Sequence, residues 1–113
     1  MLPAKFRLKI NQARSHSWTN KEQVYTPLFK LVYRFGNKGT LPKIGFIVSG
    51  KIGKATERNR VRRMLVAAVK DKLEGFPNQI EAIIIGNQKV KNAGYEEISD
   101  FLGQALSKIR KPT

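Results

Sequence analysis

Residues 28–35 alternate along the chain. Phe29, Leu31, Tyr33 and Phe35 fall on one side; Leu28, Lys30, Val32 and Arg34 fall on the other. A period of two predicts a strand with one buried face and one mixed face. Gly36-Asn37-Lys38-Gly39 then supplies turn chemistry. A second strand follows over 43–49, with Ile44, Phe46 and Val48 on one face. These two strands read as antiparallel neighbours, and residues 24–26 admit a third.

Gly50 and Gly53 bend the chain into a helix over about 57–73, with Thr56 as the expected N-cap and Glu57 suited to the positive first turn. Gly75 and Pro77 end it. At 100° per residue, Val61, Met64, Leu65, Ala68 and Val69 form its apolar stripe. Asn59, Arg63, Val66 and Lys70 share the opposite face, and Arg60 and Arg62 flank the stripe. Residues 80–86 are a short β-branched run, predicted as a buried strand parallel to a neighbour if the preceding helix is a crossover. A last helix spans about 95–110, where Ile98, Phe101, Leu102, Ala105, Leu106 and Ile109 repeat at 3-4-3-4 spacing. Residues 1–22 are polar and basic, with a weak helical pattern over 8–18. The sum is an α+β domain: a small mixed sheet with helices on one side and the other side partly free.

Length makes 1–113 a single domain. Charge changes the picture more. Against 22 Lys and Arg there are 8 Asp and Glu, a net charge of +14. That excess points to a polyanionic partner, nucleic acid ahead of a membrane surface. A hydrophobic content of 41% argues for a folded domain, not a basic tail. There is no cysteine, which excludes disulfides and fits a reducing cytoplasm. No apolar run approaches the ~18 residues of a membrane span, and the first residues lack a signal-peptide core. No stable protein partner is implied.

The basic residues concentrate. Residues 51–72 hold eight Lys or Arg and only two acids, Glu57 and Asp71. A solvated helix face usually mixes signs to form i,i+4 pairs; Arg58, Arg60, Arg62 and Arg63 have only Glu57 nearby. Guanidinium forks suit phosphate oxygens because they donate two hydrogen bonds at once. Asn59, between the arginines, is open to three readings: filler, hydrogen-bonding reader, or clamp to the preceding loop. Lys30, Val32 and Arg34 leave two readings open. They form either an ordinary exposed sheet face or a basic groove with Val32 on its floor and Trp18 as an aromatic platform for a single strand.

Enzymatic groups are sparse. His16 is the one histidine and lies in a polar segment. The acids are scattered or sit on helix surfaces, so no spacing places two carboxylates for metal binding or acid–base work. No GxxxxGK[ST] phosphate loop is present. No catalytic residue and no protein metal site is expected. A self-sufficient nuclease is disfavoured by the missing acid cluster. A DNA-binding module would need a helix exposing base-reading side chains, where arginine dominates here.

Lys51-Ile52-Gly53-Lys54-Ala55 followed by Arg58-Asn59-Arg60-Val61-Arg62-Arg63 resembles the signature of the protein component of bacterial ribonuclease P. Arg7-Leu8-Lys9, Val24-Tyr25-Thr26-Pro27-Leu28-Phe29 and Ile44-Gly45-Phe46-Ile47-Val48-Ser49 look like other segments of that family, so the resemblance spans the chain. It implies a ribosomal-protein-S5-like two-layer sandwich with a left-handed βαβ crossover, where right-handed is the default. It also implies a role in 5′ maturation of tRNA. The ribonuclease P RNA would carry the active site and its Mg2+. The protein would bind that RNA through the signature helix, and the 5′ leader of precursor tRNA in a cleft between the sheet and the N-terminal helix. On this resemblance Lys51, Lys54, Arg58, Asn59, Arg60, Arg62, Arg63 and Lys70 are the expected RNA-subunit contacts, and Trp18, Lys30, Val32 and Arg34 the expected leader groove. The chain departs from the family at Gly50, where a lysine is usual, and at Val66, where an arginine is usual. Ala13-Arg14 stand where Asp-Phe is usual. The alternative is a ribosomal or assembly RNA-binding protein of similar fold.

Overall fold

The computed structural model describes residues 2–8, 21–36, 39 and 41–110. The segment expected to form the N-terminal helix, with Ala13, Arg14, His16 and Trp18, lies outside the described residues. Four strands and two α-helices follow in the order β1 (Glu22–Tyr25), β2 (Phe29–Phe35), β3 (Lys43–Ile47), α1 (Ala55–Asp71), β4 (Ile80–Gly86) and α2 (Tyr95–Ser107).

The sheet order is β1-β2-β4-β3. β1 pairs antiparallel with β2, and β2 with β4, while β3 runs parallel to β4. The parallel pair joined through α1 is the crossover anticipated from the pattern. The expectation that β2 and β3 are antiparallel neighbours is wrong: β4 lies between them. The reason is burial on both faces. Ile80, Ala82 and Ile84 enter the main core and Ile83 closes the opposite side. A strand apolar on both faces belongs at the centre of a sheet. The connection after β2 therefore spans two strand spacings, about 10 Å.

The main core lies between one sheet face and the two helices. Leu31, Tyr33, Ile44 and Ile84 meet Val61, Leu65, Ala68 and Val69 of α1 and Ile98, Leu102 and Ala105 of α2. The helices are tied end to end: the Tyr95 hydroxyl donates to Asp71 Oδ2, and the Asp71 carboxylate raises the Tyr95 pKa by holding its proton. On the other sheet face Val32 and Ile83 form a second small cluster with Leu8, Ile47 and Ile85 against them. Arg7 bridges Ile44, and Leu8 N–H donates to the Ile44 carbonyl at 3.1 Å. These contacts cover part of the outer edge of β3, a row of backbone groups that would otherwise invite pairing.

Candidate nucleic-acid interface

The turn into α1 sets the geometry of the basic cluster. Residues 50–52 make one 3-10 turn, and Gly53 follows with φ 157° and ψ −160°. That backbone region belongs essentially to glycine. A Cβ there would also lie 3.0 Å from the Glu57 carboxyl carbon. The helix begins at Ala55, two residues earlier than expected. Its N-cap is Lys54, not Thr56, and no side chain of the cap residue bonds the helix. Glu57 does the capping instead. It occupies the third helical position and accepts the Lys54 backbone N–H, half of a capping box. Its carboxylate also accepts from Lys91 Nζ at 3.1 Å. Lys91, then the Lys54 amide, hold the Glu57 pKa below its ordinary value.

Helical spacing then sorts the signature residues onto three sides of α1. The first side carries the buried stripe. The second faces the turn at 88–92, where Arg60 donates to the Lys91 carbonyl. The third carries Asn59, Arg62, Arg63, Val66, Ala67 and Lys70, which form one wall of a groove of about 700 Å3. The opposite wall comes from β3 and the N-terminal segment: Leu2, Arg7, Leu8, Ile44, Gly45 and Phe46. Among the described residues Arg62, Arg63 and Lys70 join no ion pair, and the Asn59 side chain has no hydrogen bond. The clamp reading of Asn59 therefore finds no partner among them.

The remaining predicted RNA contacts are less alike than the sequence suggested. Lys51 and Lys54 are exposed on the turn. Arg58 is half-buried, and its Nε is sealed without a hydrogen-bond partner among the described residues. Arg60 is exposed but occupied by a backbone carbonyl. Arg7 was missed as a groove residue. Its N-terminal stretch shows no clear periodicity, and only the bridge to Ile44 brings it alongside α1.

The sheet face opposite the helices corrects part of the predicted leader groove. Val32 is 0% exposed, because Ile83 stands beside it in the sheet and Leu8, Ile47 and Ile85 pack around the pair. It is core, not an open floor. The face is also not free of acids. Glu81 lies opposite Arg34 in register, and Arg34 Nε donates to its carboxylate at 2.8 Å. Lys30 keeps its place on this face. Its ammonium sits 5.9 Å from the centre of the Tyr25 ring, and Tyr25 is 68% exposed. The antiparallel register places Tyr25 directly opposite Lys30, a pairing hidden until the strand partner is known.

A family model described as Ribonuclease P matches residues 2–110. The chain belongs to the ribonuclease P protein family. Curated relatives named ribonuclease P protein component support it. That of Carboxydothermus hydrogenoformans is 33% identical over 104 residues, covering 91% of this chain and 87% of its own. That of Finegoldia magna is 30% identical over 96 residues, covering 85% and 83%. The solved ribonuclease P protein from Thermotoga maritima superposes with a TM-score of 0.81 at 19% identity, covering 93% and 98%. One from Staphylococcus aureus superposes at 0.70 with 25% identity, covering 95% and 92%. The α+β two-layer fold of the ribonuclease P proteins is thus the fold seen here. The chain is the protein subunit of ribonuclease P, the ribonucleoprotein endoribonuclease of tRNA 5′ maturation, and its partner is ribonuclease P RNA. The alternative of a ribosomal or assembly protein is set aside.

Proposed function

We propose that this subunit holds ribonuclease P RNA along the groove side of α1 and steadies the 5′ leader of precursor tRNA on the opposite sheet face. The observation that carries the first half is the stripe Arg62, Arg63 and Lys70, exposed and outside any ion pair among the described residues. Unpaired cations on one side of a rigid helix suit a track of phosphates. Lys51 and Lys54 extend the track around the turn. The leader half rests on Lys30 over the exposed Tyr25 ring, a cation beside a stacking surface, which suits a single strand.

Among the described residues no three His, Cys, Asp or Glu side chains gather to hold a metal. Mg2+ is assigned to the RNA and substrate in this proposal. No helix among the described residues is long and apolar enough to cross a membrane. The expected setting is the cytoplasm, where bacterial tRNA is made.

The test is reconstitution. Ribonuclease P RNA from the same genome should cleave precursor tRNA at low magnesium faster with the protein than without it. Tyr25→Ala with Lys30→Ala should weaken binding of leader-bearing tRNA and spare mature tRNA. No stimulation of cleavage would sink the proposal, and equal losses for the two tRNAs would sink its leader half.

A further inference from the structure

The groove beside α1 has a composition that phosphate binding alone does not explain. Its cations stand at the rim: Arg7, Arg62, Arg63 and Lys70 are all exposed. Its interior is apolar, with Phe46, Val66 and Ala67 each half-buried along it. No acid lines it. A phosphate uses the rim and gains nothing from the interior, because burying a charge against apolar walls is costly. The volume of about 700 Å3 lies in the range of small-molecule clefts, roughly 300–1,000 Å3.

We infer that this groove takes an unstacked nucleobase of the bound RNA, with that nucleotide's flanking phosphates on the rim. A base has two apolar faces and a polar edge. Phe46, Val66 and Ala67 match the faces, as aromatic and apolar side chains do for splayed-out bases of single-stranded RNA. Asn59 offers an amide at the same wall, with a donor and an acceptor and no hydrogen bond among the described residues. It is the group placed to read the edge. Val66 fits this account where a charged side chain would not: an arginine there would place a cation among the apolar positions. A duplex cannot supply such a base, so the occupant is a bulged, looped or single-stranded nucleotide. The inference rests on the RNA-binding reading above and gives it a second component besides charge.

The test holds charge constant. The full chain, labelled at its valine, leucine and alanine methyl groups, is titrated by NMR with a single-stranded RNA trinucleotide. The same trinucleotide lacking its central base is the control. The intact trinucleotide should bind roughly tenfold more tightly, as expected for one stacked base, and should shift the methyl signals of Val66 and Ala67. The abasic one should leave those methyls in place. Equal affinities would overturn the inference. So would a preference for the intact trinucleotide that leaves both methyls unmoved, since the base would then sit elsewhere. Binding of ribonuclease P RNA is measured separately. Its loss would speak against the function, whereas equal trinucleotide affinities with that binding intact speak against the base pocket alone.

Discussion

Lys91 Nζ lies 3.1 Å from Glu57 Oε2, and the same lysine gives its backbone carbonyl to Arg60. The first turn of α1 is thereby clipped to the turn at 88–92 through two successive contacts. One arginine of the signature is spent inside the protein, while its neighbours two and three positions on face the groove.

That division predicts different behaviour for Arg60 and Arg63. Arg63→Ala should lower the slope of log affinity against log salt by ~0.7–0.9, one phosphate contact, and change stability by less than about 0.5 kcal/mol. Arg60→Ala should cost about 1 kcal/mol of stability through the lost carbonyl bond and move the salt slope less. Salt-dependent binding to ribonuclease P RNA and urea unfolding read the two effects. Identical slopes and identical stabilities for both variants would remove the distinction.

The clip also carries a pH signature. The folded-state pKa of Glu57 is lowered, first by the hydrogen bond from Lys91. A carboxyl with a depressed folded pKa stabilises fully above its unfolded pKa and loses that contribution as pH falls through the folded one. The stability gap between the wild type and Glu57→Gln should therefore be widest near neutral pH and close in acid, below the ordinary glutamate range. The group is exposed, so added salt should narrow the gap as well. A gap that stays constant with pH would show that the carboxylate charge is not what the helix start uses.

Gly53 and Gly50 provide a matched pair. Gly53→Ala meets both an unfavourable backbone conformation and the Glu57 carboxyl group at 3.0 Å; roughly 1–3 kcal/mol of destabilisation follows. Around Gly50 nothing among the described residues lies within 4 Å of an added Cβ, so Gly50→Ala should stay within about 0.5 kcal/mol of the wild type. Denaturant midpoints compare them directly.

For Val32 the expectation is a stability defect. Val32→Ala removes two buried methyl equivalents from a site that is 0% exposed. At about 0.8 kcal/mol per group plus a cavity term, the loss is ~2 kcal/mol. Lys30→Ala, half-buried on the same strand, should leave the melting temperature nearly unchanged. If Val32→Ala kept full stability yet lost precursor tRNA, the residue would belong to the ligand surface after all.

The elements were legible because each carries its own period. Phe29 to Phe35 alternate as a strand must, and Val61, Leu65, Ala68 and Val69 recur as a helix stripe must. The cation cluster was legible for the same reason: its helical phase follows from spacing alone. What sequence could not supply was partnership between elements. Nothing local to β2 says that β4 stands beside it, so neither the Arg34–Glu81 pair nor the burial of Val32 between neighbours could be foreseen. Arg7 joins the groove through a backbone bridge to Ile44, an interaction that leaves no mark in side-chain pattern. The N-cap was misplaced because capping residues are recognised by type, and here a glutamate three positions on does that work.

The central place of β4 has a consequence for synthesis. β4 is the last strand to leave the ribosome, yet β2 and β3 are joined in the sheet through it. Until residue 86 has emerged, the β1–β2 hairpin and the β3–α1 segment have no shared hydrogen bonds in the sheet. The arginine-bearing helix is complete by residue 71 but has no finished sheet to lie on. A chain halted between these points carries its positive charge on an unanchored segment, open to any nearby polyanion. Emergence of one late, isoleucine-rich strand therefore sets when the arginine-bearing helix first has a finished sheet to pack on.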